Sequence, residues 1–247
     1  MPIGHFHPKR PLLLATDLDG TFVGGSPEDR HALYELITAN RQSVRLLFCT
    51  GRSLRKVHTL SSAYKLPAPD AMICDVGSSV FDSTGQTLFD DLQEDIVRRW
   101  GDGQVKVADA LADLPLTLQD ETGPCRRSYL YEEESSAREA QRRVESLGFD
   151  GLLSDNLYFD ALPRGVNKGT TLLQVVQRFG FAPTDVLVAG DTLNDLSMLA
   201  CGLPAVAVVN AEPRLLQALP QSPAIYRASR PGAAGILEAI ACHPALN

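Results

Sequence analysis

The chain has 247 residues, of which 44% are hydrophobic, and its formal net charge is −7. A chain of this length and composition can bury a substantial core in one large domain or two small ones. The acidic balance argues against a nucleic-acid partner, and no apolar run approaches the roughly 20 residues of a membrane-spanning helix. Residues 1–11 are basic but lack the apolar core of a signal peptide, so we expect a cytoplasmic protein.

At both ends of the chain, apolar runs of strand length alternate with segments of helical periodicity. In the first part, the pattern predicts a strand at 12–16, a helix at 27–40, a strand at 45–49, a helix at 54–64 and a strand at 71–74. The rhythm resumes with a helix at 170–179, a strand at 186–189, a helix around 195–200 and a strand at 205–209. This alternation predicts βαβ units and an α/β fold with a mainly parallel sheet.

The middle of the chain follows a different pattern. Segments 116–119 and 128–131 alternate like half-buried strands, and 135–147 is a charged amphipathic helix that Ser135 could cap. Asp155-Asn156 separates two further strand-like runs and predicts a hairpin turn with positive φ. We therefore predict a smaller α+β cap domain over 88–162, inserted into a core domain that comprises 1–87 and 163–247.

Acidic residues follow two of the predicted core strands. Asp17 and Asp19 come after the first strand, and Asp191, Asn194 and Asp195 come after the strand at 186–189. Carboxylates are costly to gather at the ends of buried strands unless a cation neutralises them. Because open α/β sheets bind ligands at this edge, the sequence predicts a magnesium ion and a phosphate group here.

The spacing of the first two acids suits phosphoryl chemistry. Side chains alternate along an extended strand, so Asp17 and Asp19 would point the same way, one to attack phosphorus and the other to move a proton. Thr50-Gly51-Arg52 follows the second strand and could meet phosphate oxygens with a hydroxyl, a close amide and a cation. Lys168 opens a predicted helix and could neutralise a transferring phosphoryl group.

These motifs, in this order, resemble those of haloacid dehalogenase (HAD) superfamily phosphatases. The matching segments are Asp17-Leu18-Asp19-Gly20-Thr21, Thr50-Gly51-Arg52, Lys168 and Gly190-Asp191-Thr192-Leu193-Asn194-Asp195. The insert between Thr50 and Lys168 lies where the superfamily carries its C2-type cap, so the resemblance implies a Rossmann-like HAD core with a C2B-type cap. Shorter matches, such as 73–78 and 162–169, narrow the resemblance to the sucrose-phosphatase-like, Cof-like branch.

The resemblance implies a role for each matching residue. Asp17 would be the nucleophile that forms an aspartyl-phosphate, and Asp19 the acid/base that protonates the leaving alcohol and then activates water. Thr50 and Lys168 would bind the phosphoryl group, and Gly51, Arg52 and Asn194 are further candidates for binding the substrate. Mg²⁺ would be held by the Asp17 carboxylate, the Asp19 backbone carbonyl and Asp191, with Asn194 and Asp195 in support, either directly or through water.

Two short segments depart from the pattern of many C2-capped relatives. Val76-Gly77 stands where those relatives carry Asn-Gly, which agrees with the sucrose-phosphatase branch. Val209-Asn210 stands where they carry Gly-Asn, which leaves the role of Asn210 open.

The cap is expected to recognise the group attached to the phosphate and so to determine substrate specificity. Hydrogen-bonding and aromatic residues make the candidates for sugar binding Gln119, Arg126, Arg127, Tyr129, Tyr158 and Asp160. The expected function is a Mg-dependent phosphatase of a sugar phosphate, for example sucrose 6-phosphate or a related glycosyl or disaccharide phosphate. The alternatives are a phosphosugar mutase that resembles the phosphomannomutases and a non-catalytic sugar-phosphate sensor.

Overall fold

A computed structural model describes residues 11–120 and 123–242. The residues on which the signal-peptide prediction rests lie almost entirely outside this range. The strands in the described residues are β1 (Leu12–Thr16), β2 (Val44–Cys49), β3 (Ala71–Cys74), β4 (Ser79–Asp82), β5 (Leu116–Leu118), β6 (Arg127–Tyr131), β7 (Asp150–Ser154), β8 (Tyr158–Leu162), β9 (Val186–Gly190), β10 (Ala205–Ala207) and β11 (Ile225–Arg227).

The helices in the same residues flank these strands. They are α1 (Pro27–Ala39), α2 (Leu54–Tyr64), α3 (Asp90–Trp100), α4 (Gly103–Leu111), α5 (Glu134–Ser146), α6 (Lys168–Arg178), α7 (Leu196–Leu199), α8 (Pro213–Ala218) and α9 (Gly232–Cys242). In the described part of the chain, no helix has both the length and the apolar character to cross a membrane.

The larger sheet has seven strands in the order β11-β10-β9-β1-β2-β3-β4. All neighbours are parallel except β3 and β4, which confirms the predicted α/β fold with a mainly parallel sheet. Both faces are covered: Leu13 joins an apolar cluster with Leu172 of α6, and Leu14 joins the opposite cluster with Ile236 of α9. Burial on both faces explains why the strands of this sheet read as continuous apolar runs.

The order of the strands reverses next to β1. From β1 the chain continues outward through β2 and β3, whereas the later strands β9, β10 and β11 extend from the other side of β1. A crevice at such a switch point, outside the carboxyl ends of the strands, is where open α/β sheets bind ligands. The acidic segments after β1 and β9 therefore meet at the expected position for a functional site.

The smaller sheet has four antiparallel strands in the order β5-β6-β8-β7. One face packs against α5, with Ala137, Ala140 and Val144 of that helix buried. The turn before β8 has positive φ at Asp155 and Asn156, as predicted, and includes one further residue. The domain boundaries at 87/88 and 162/163 stay a prediction.

Three local predictions were wrong or incomplete. Ser135 does not cap α5, because the helix begins one residue earlier, at Glu134, whose carboxylate pairs with Arg138 at 2.5 Å. Carboxylates in a first helical turn are favourable, so this acidic segment enters the helix sooner than a serine cap would allow. The strand predicted at 205–209 ends at Ala207, and the predictions left α3, α4, α8, α9, β4 and β11 unassigned.

Candidate active site

A tight turn carries the first acidic motif away from β1. Asp17 is still extended, and the chain then folds into an irregular helical turn over Leu18–Phe22 with φ +73° at Gly20. A Cβ on Gly20 would lie 2.1 Å from Asp191 Oδ2. Glycine is therefore required here both for its conformation and for the close approach of the second acidic segment.

The Lys168 ammonium joins the two acidic segments. This side chain is fully buried, and its Nζ donates to Asp17 Oδ1 at 2.7 Å and to Asp195 Oδ1 at 2.6 Å. The start of α6 sets its position through a capping box between Asn167 and Thr170. Burial lowers the pKa of the ammonium, but the charges of Asp17 and Asp195 outweigh burial and raise the pKa. Lys168 is therefore a fixed positive charge beside the predicted nucleophile.

Asp195 connects the Lys168 side chain to the backbone of the second acidic segment. Its Oδ2 accepts backbone hydrogen bonds from Asp191 at 2.9 Å and Thr192 at 3.0 Å, while its Oδ1 accepts from Lys168. Both carboxylate oxygens are thus occupied, and the side chain is fully buried. This geometry fits the supporting role predicted for Asp195 better than direct metal coordination.

The donor set fits a hard divalent cation. Ligand oxygens of Asp17, Asp191 and Asp195 lie within 4.8 Å of one another. Burial, followed by the charge of Asp195, raises the pKa of Asp191 to about 7, although Thr21 Oγ1 donates to Asp191 at 2.6 Å. Burial also raises the pKa of Asp17, against the opposing effect of Lys168. One ammonium does not balance three carboxylates, and oxygen-rich, negatively charged sites of this kind suit Mg²⁺.

The segment after β2 forms the facing wall. Thr50 is buried, and its Oγ1 accepts the backbone N–H of Arg52 at 3.1 Å. The Arg52 guanidinium binds the Asp19 carboxylate through two hydrogen bonds, of 2.6 and 2.7 Å. In this structure, the predicted phosphate-binding arginine therefore holds the predicted acid/base.

A strained turn supports this wall. Asp75, Val76 and Gly77 have φ values of +51°, +59° and +107°. Positive φ is unusual for a β-branched residue, and the Val76 N–H donates to the Thr50 carbonyl at 3.1 Å to hold the turn in place. A Cβ on Gly77 would lie 2.4 Å from the Asn167 carbonyl carbon, so this turn also packs closely against the residue that caps α6.

A cavity of about 390 Å³ separates these core segments from the smaller sheet. Its lining includes most of the predicted residues: Asp17, Asp19, Thr50, Gly51, Arg52, Gln119, Arg126, Tyr158, Asp160 and Asn194. Lys56, Val76, Ser154, Asp155 and Thr192 complete the lining. Asn194 Oδ1 is buried with no hydrogen-bond partner among the described residues, which leaves an acceptor for a bound group.

The structure does not bring the predicted sugar-binding residues Arg127 and Tyr129 to this cavity. Arg127 Nε donates to Tyr129 Oη at 2.8 Å, and Tyr129 is buried in the apolar cluster that includes Phe159. Successive residues of a strand face opposite sides of the sheet. Arg126 and Ser128 therefore face the core, whereas Arg127 and Tyr129 face the helices of the cap.

Sequence reasoning assigned no contact to Thr21 or Asn210. Thr21 belongs to the first motif, so the motif itself could have indicated its contact with Asp191. Asn210 Nδ2 donates to the Gly20 carbonyl at 3.0 Å, and its Oδ1 accepts from Gly232 N–H at 2.9 Å. Asn210 thus braces the turn after β1, a role that no local pattern indicates because Gly20 is far away in sequence.

The fold and the motif positions define the chain as a capped α/β protein of the HAD class. A haloacid dehalogenase-like hydrolase from Bacteroides thetaiotaomicron has the same fold, with a TM-score of 0.66 at 16% identity over 94% of this chain and all of that one. The family model of sucrose-6F-phosphate phosphohydrolase matches residues 10–243. The chain belongs to this family.

Individual relatives agree with this assignment. The chain is 44% identical over 230 residues to glucosylglycerol-phosphate synthase of Pseudomonas anguilliseptica, which covers 92% of the chain but 30% of that protein. It is 28% identical to sucrose-phosphatase 1 of Nicotiana tabacum, over 93% of the chain and 58% of that protein. The chain thus spans less than two thirds of the length of these relatives.

Among solved structures, the chain resembles the sucrose-phosphatase of Synechocystis sp. PCC6803 in complex with sucrose and phosphate. The TM-score is 0.85 at 27% identity, and the match covers 94% of this chain and 97% of that one. The similarity therefore includes both sheets, and not the larger sheet alone.

Proposed function

We propose that this chain is a Mg²⁺-dependent phosphatase that hydrolyses a sugar phosphate through an aspartyl-phosphate on Asp17. One observation carries the proposal: the Asp17 carboxylate lines the cavity at the switch point of the sheet and is in contact with the buried Lys168 ammonium at 2.7 Å. Asp19, the proposed acid/base, lines the same cavity. Membership of a phosphohydrolase family supports this reaction class.

The reaction proceeds in two displacements. An Asp17 carboxylate oxygen attacks phosphorus, the bond from phosphorus to the sugar oxygen breaks, and Asp19 donates a proton to the leaving oxygen. Water then attacks the phosphorus of the acyl phosphate and gives its proton to Asp19, which releases inorganic phosphate and restores Asp17. Lys168, Thr50, Gly51 and Asn194 bind the phosphoryl oxygens.

Arg52 must change partners during this cycle. In this structure, two nitrogens of the Arg52 guanidinium donate to the Asp19 carboxylate and not to the site proposed for the phosphoryl oxygens. We propose that the guanidinium transfers to the phosphoryl oxygens when substrate binds. Asp19 is then free to carry the proton that the leaving alcohol requires.

The proposed Mg²⁺ ligands are the carboxylates of Asp17 and Asp191 and the backbone carbonyl of Asp19, with Asn194 and Asp195 in support. When bound, the cation supplies positive charge that offsets the phosphate and the clustered carboxylates. Asp195 fixes both Lys168 and the backbone that carries Asp191.

The cap side of the cavity suits a hydroxyl-rich group. Gln119, Ser154, Asp155 and Tyr158 all line it, and its volume of about 390 Å³ is typical of small-ligand sites. The names of the relatives point to two phosphorylated glycosyl compounds, sucrose phosphate and glucosylglycerol phosphate. We propose a phosphate monoester of a glycoside or disaccharide of this kind as the substrate.

The first test measures phosphate release from sucrose 6-phosphate, glucosylglycerol phosphate, trehalose 6-phosphate and simple hexose phosphates, with Mg²⁺ and with EDTA. We expect metal-dependent release, with one glycosyl phosphate strongly preferred. A mutase would return the phosphoryl group to sugar and release little phosphate, and a sensor would bind substrate without turnover. Either result would contradict the proposed hydrolysis.

A further inference from the structure

Arg126 forms a buried bridge between the two sheets. Its side chain is 8% exposed, and it lies immediately before β6 in the smaller sheet. Nε donates to Asp160 Oδ1 at 2.8 Å, and Nη2 donates to Ser128 Oγ at 3.2 Å, both in the smaller sheet. Nη1 donates to the Gly51 carbonyl of the core at 2.5 Å. The guanidinium thus joins the cap to the proposed phosphate-binding segment.

The contact with Gly51 fixes one particular peptide group. The carbonyl oxygen of the Gly51–Arg52 peptide accepts from Arg126, and the N–H of the same peptide donates to Thr50 Oγ1 at 3.1 Å. Because a peptide group is planar, anchoring both of its polar atoms sets its orientation. The Thr50 hydroxyl and the Arg52 side chain leave the backbone on either side of this peptide. Their positions therefore depend on Arg126.

A second contact clamps the same region of the cap. The Gly123 N–H donates to Asp75 Oδ1 at 2.9 Å, and Arg126 Nη1 lies 3.6 Å from that oxygen. A Cβ on Gly123 would lie 2.4 Å from Asp75 Oδ2, so the cap segment approaches as closely as glycine permits. Asp75 in turn donates its N–H to the Arg52 carbonyl at 3.0 Å. The cap therefore contacts the proposed phosphate-binding segment directly through Arg126, and indirectly through the bond from Gly123 to Asp75.

The existing partners of Arg126 argue against a primary role in sugar binding. Each of its three guanidinium nitrogens already donates to Asp160, Ser128 or Gly51. Charge-assisted hydrogen bonds of this kind are strong and geometrically specific in a buried setting. Although Arg126 lines the cavity, it is committed to protein groups.

We infer that Arg126 is a positioning residue that orients the Thr50–Arg52 segment when the cap rests on the core, and so couples cap closure to assembly of the phosphate site. This inference rests on the proposed phosphatase function. With the cap lifted, the Gly51 carbonyl would lose its cap partner. Efficient phosphoryl transfer would then be confined to the closed state, from which bulk water is excluded.

The chain provides a matched control for testing this role. Arg127 is the next residue and also carries a hydrogen-bonded guanidinium, but it faces the helices of the cap. We would compare Arg126→Met, Arg126→Lys and Arg127→Met for kcat, for KM and for hydrogen exchange of peptides covering 50–52. Arg126→Lys keeps a charge beside Asp160 but lacks the planar fork needed to reach Gly51 as well. It therefore remains informative if the Met variant does not fold.

We expect Arg126→Met to lower kcat by on the order of 10²-fold, because small misplacements of positioning groups have effects of this size. KM should change by less than about threefold, and exchange at 50–52 should accelerate. Arg126→Lys should show the same changes in weaker form, and added guanidinium should partly restore kcat in Arg126→Met. Arg127→Met should leave kcat and the exchange of 50–52 at wild-type values.

Two results would overturn the inference. A raised KM with unchanged kcat would mean that Arg126 binds the sugar directly. Equal exchange at 50–52 in the Arg126 and Arg127 variants would mean that Arg126 does not hold the segment. The exchange experiment needs no substrate, so it judges the inference even if the wild-type chain releases no phosphate. That last result would refute the proposed function instead.

Discussion

Two clusters of buried charges each contribute to the lining of the cavity and differ in how their charges are satisfied. The core cluster comprises Asp17, Lys168, Asp191 and Asp195, where one ammonium faces three carboxylates. The interface cluster comprises Asp75, Arg126 and Asp160, whose groups contact one another and the Gly51 and Gly123 backbone.

This difference indicates that the two clusters have different roles. In the core cluster, burial, followed by the charge of Asp195, raises the pKa of Asp191 to about 7, which is expected for clustered carboxylates without a bound cation. In the interface cluster, each nitrogen of the guanidinium donates to a protein acceptor, and these acceptors belong to both the cap and the core. The first cluster retains the negative charge that the proposed metal would neutralise, and the second holds the two sheets in a fixed geometry.

Removing the nucleophile should have the largest effect. Asp17→Asn keeps the size of the side chain but removes the attacking carboxylate, so phosphate release should fall by on the order of 10⁴-fold or more. Phosphate release under saturating substrate measures this effect, and Asp90→Asn, an exposed change at the start of α3, serves as the control. Activity within tenfold of wild type would remove Asp17 from the nucleophile role.

Removing the ammonium of the core cluster should have the next largest effect. Lys168→Met leaves the buried Asp17 and Asp195 without their cation, which should lower the free energy of unfolding by about 3–5 kcal/mol. Lys106→Met, which breaks an exposed pair with Asp102, should change it by less than about 1 kcal/mol. Urea unfolding in EDTA compares the two. Equal losses in the free energy of unfolding would mean that Lys168 contributes no more to stability than the exposed Lys106.

Magnesium should distinguish the clusters without any reference to turnover. A ligand that binds the folded state at 100 times its Kd stabilises it by about 2.7 kcal/mol, so Mg²⁺ should raise the unfolding temperature of the wild type. Asp191→Asn should lose most of this response because a proposed ligand is gone. Asp75→Asn, in the interface cluster, should keep it. A full response in Asp191→Asn would place the cation elsewhere.

The core cluster was largely predictable from sequence, because its residues follow strands whose ends must converge. Asp17, Asp191 and Lys168 all lie where their motifs indicated. The partner of Arg52 was not predictable, since its bond to Asp19 depends on how two separate turns face each other. The motifs that contain Asp19 and Arg52 each indicated a role in phosphoryl transfer, but neither motif indicated that the two side chains would contact each other.

The cap was harder to predict for a physical reason. Candidates were chosen by residue type, whereas strand register decides which side chains reach the cavity, so Arg126 faces it and Arg127 does not. The alternation at 116–119 and 128–131 indicated the short strands β5 and β6, but not which face of each strand would meet the cavity. The role of Arg126 also depends on Gly51, which is 75 residues away in sequence.

The smallest predicted effect concerns the pH dependence of stability in the interface cluster. Burial raises the pKa of Asp75 above its ordinary value, with Arg126 opposing. The folded state therefore holds this proton more tightly than the unfolded state. The stability that Asp75 contributes relative to Asp75→Asn should fall as pH rises above about 4, with a slope below about 1.4 kcal/mol per pH unit.

Asp70 provides a control of opposite sign. Burial raises the pKa of Asp70, but hydrogen bonds from the Leu46 N–H, Arg45 and Arg41 outweigh burial and lower it. Its stabilising contribution, measured against Asp70→Asn, should be present above about pH 4 and lost as pH falls below that value. Urea unfolding from pH 3 to 7 would reveal both slopes. If Asp75 followed the sign of Asp70, the interface cluster would be stabilising its carboxylate as an ion, and Arg126 would have a stronger electrostatic role than its geometry indicates.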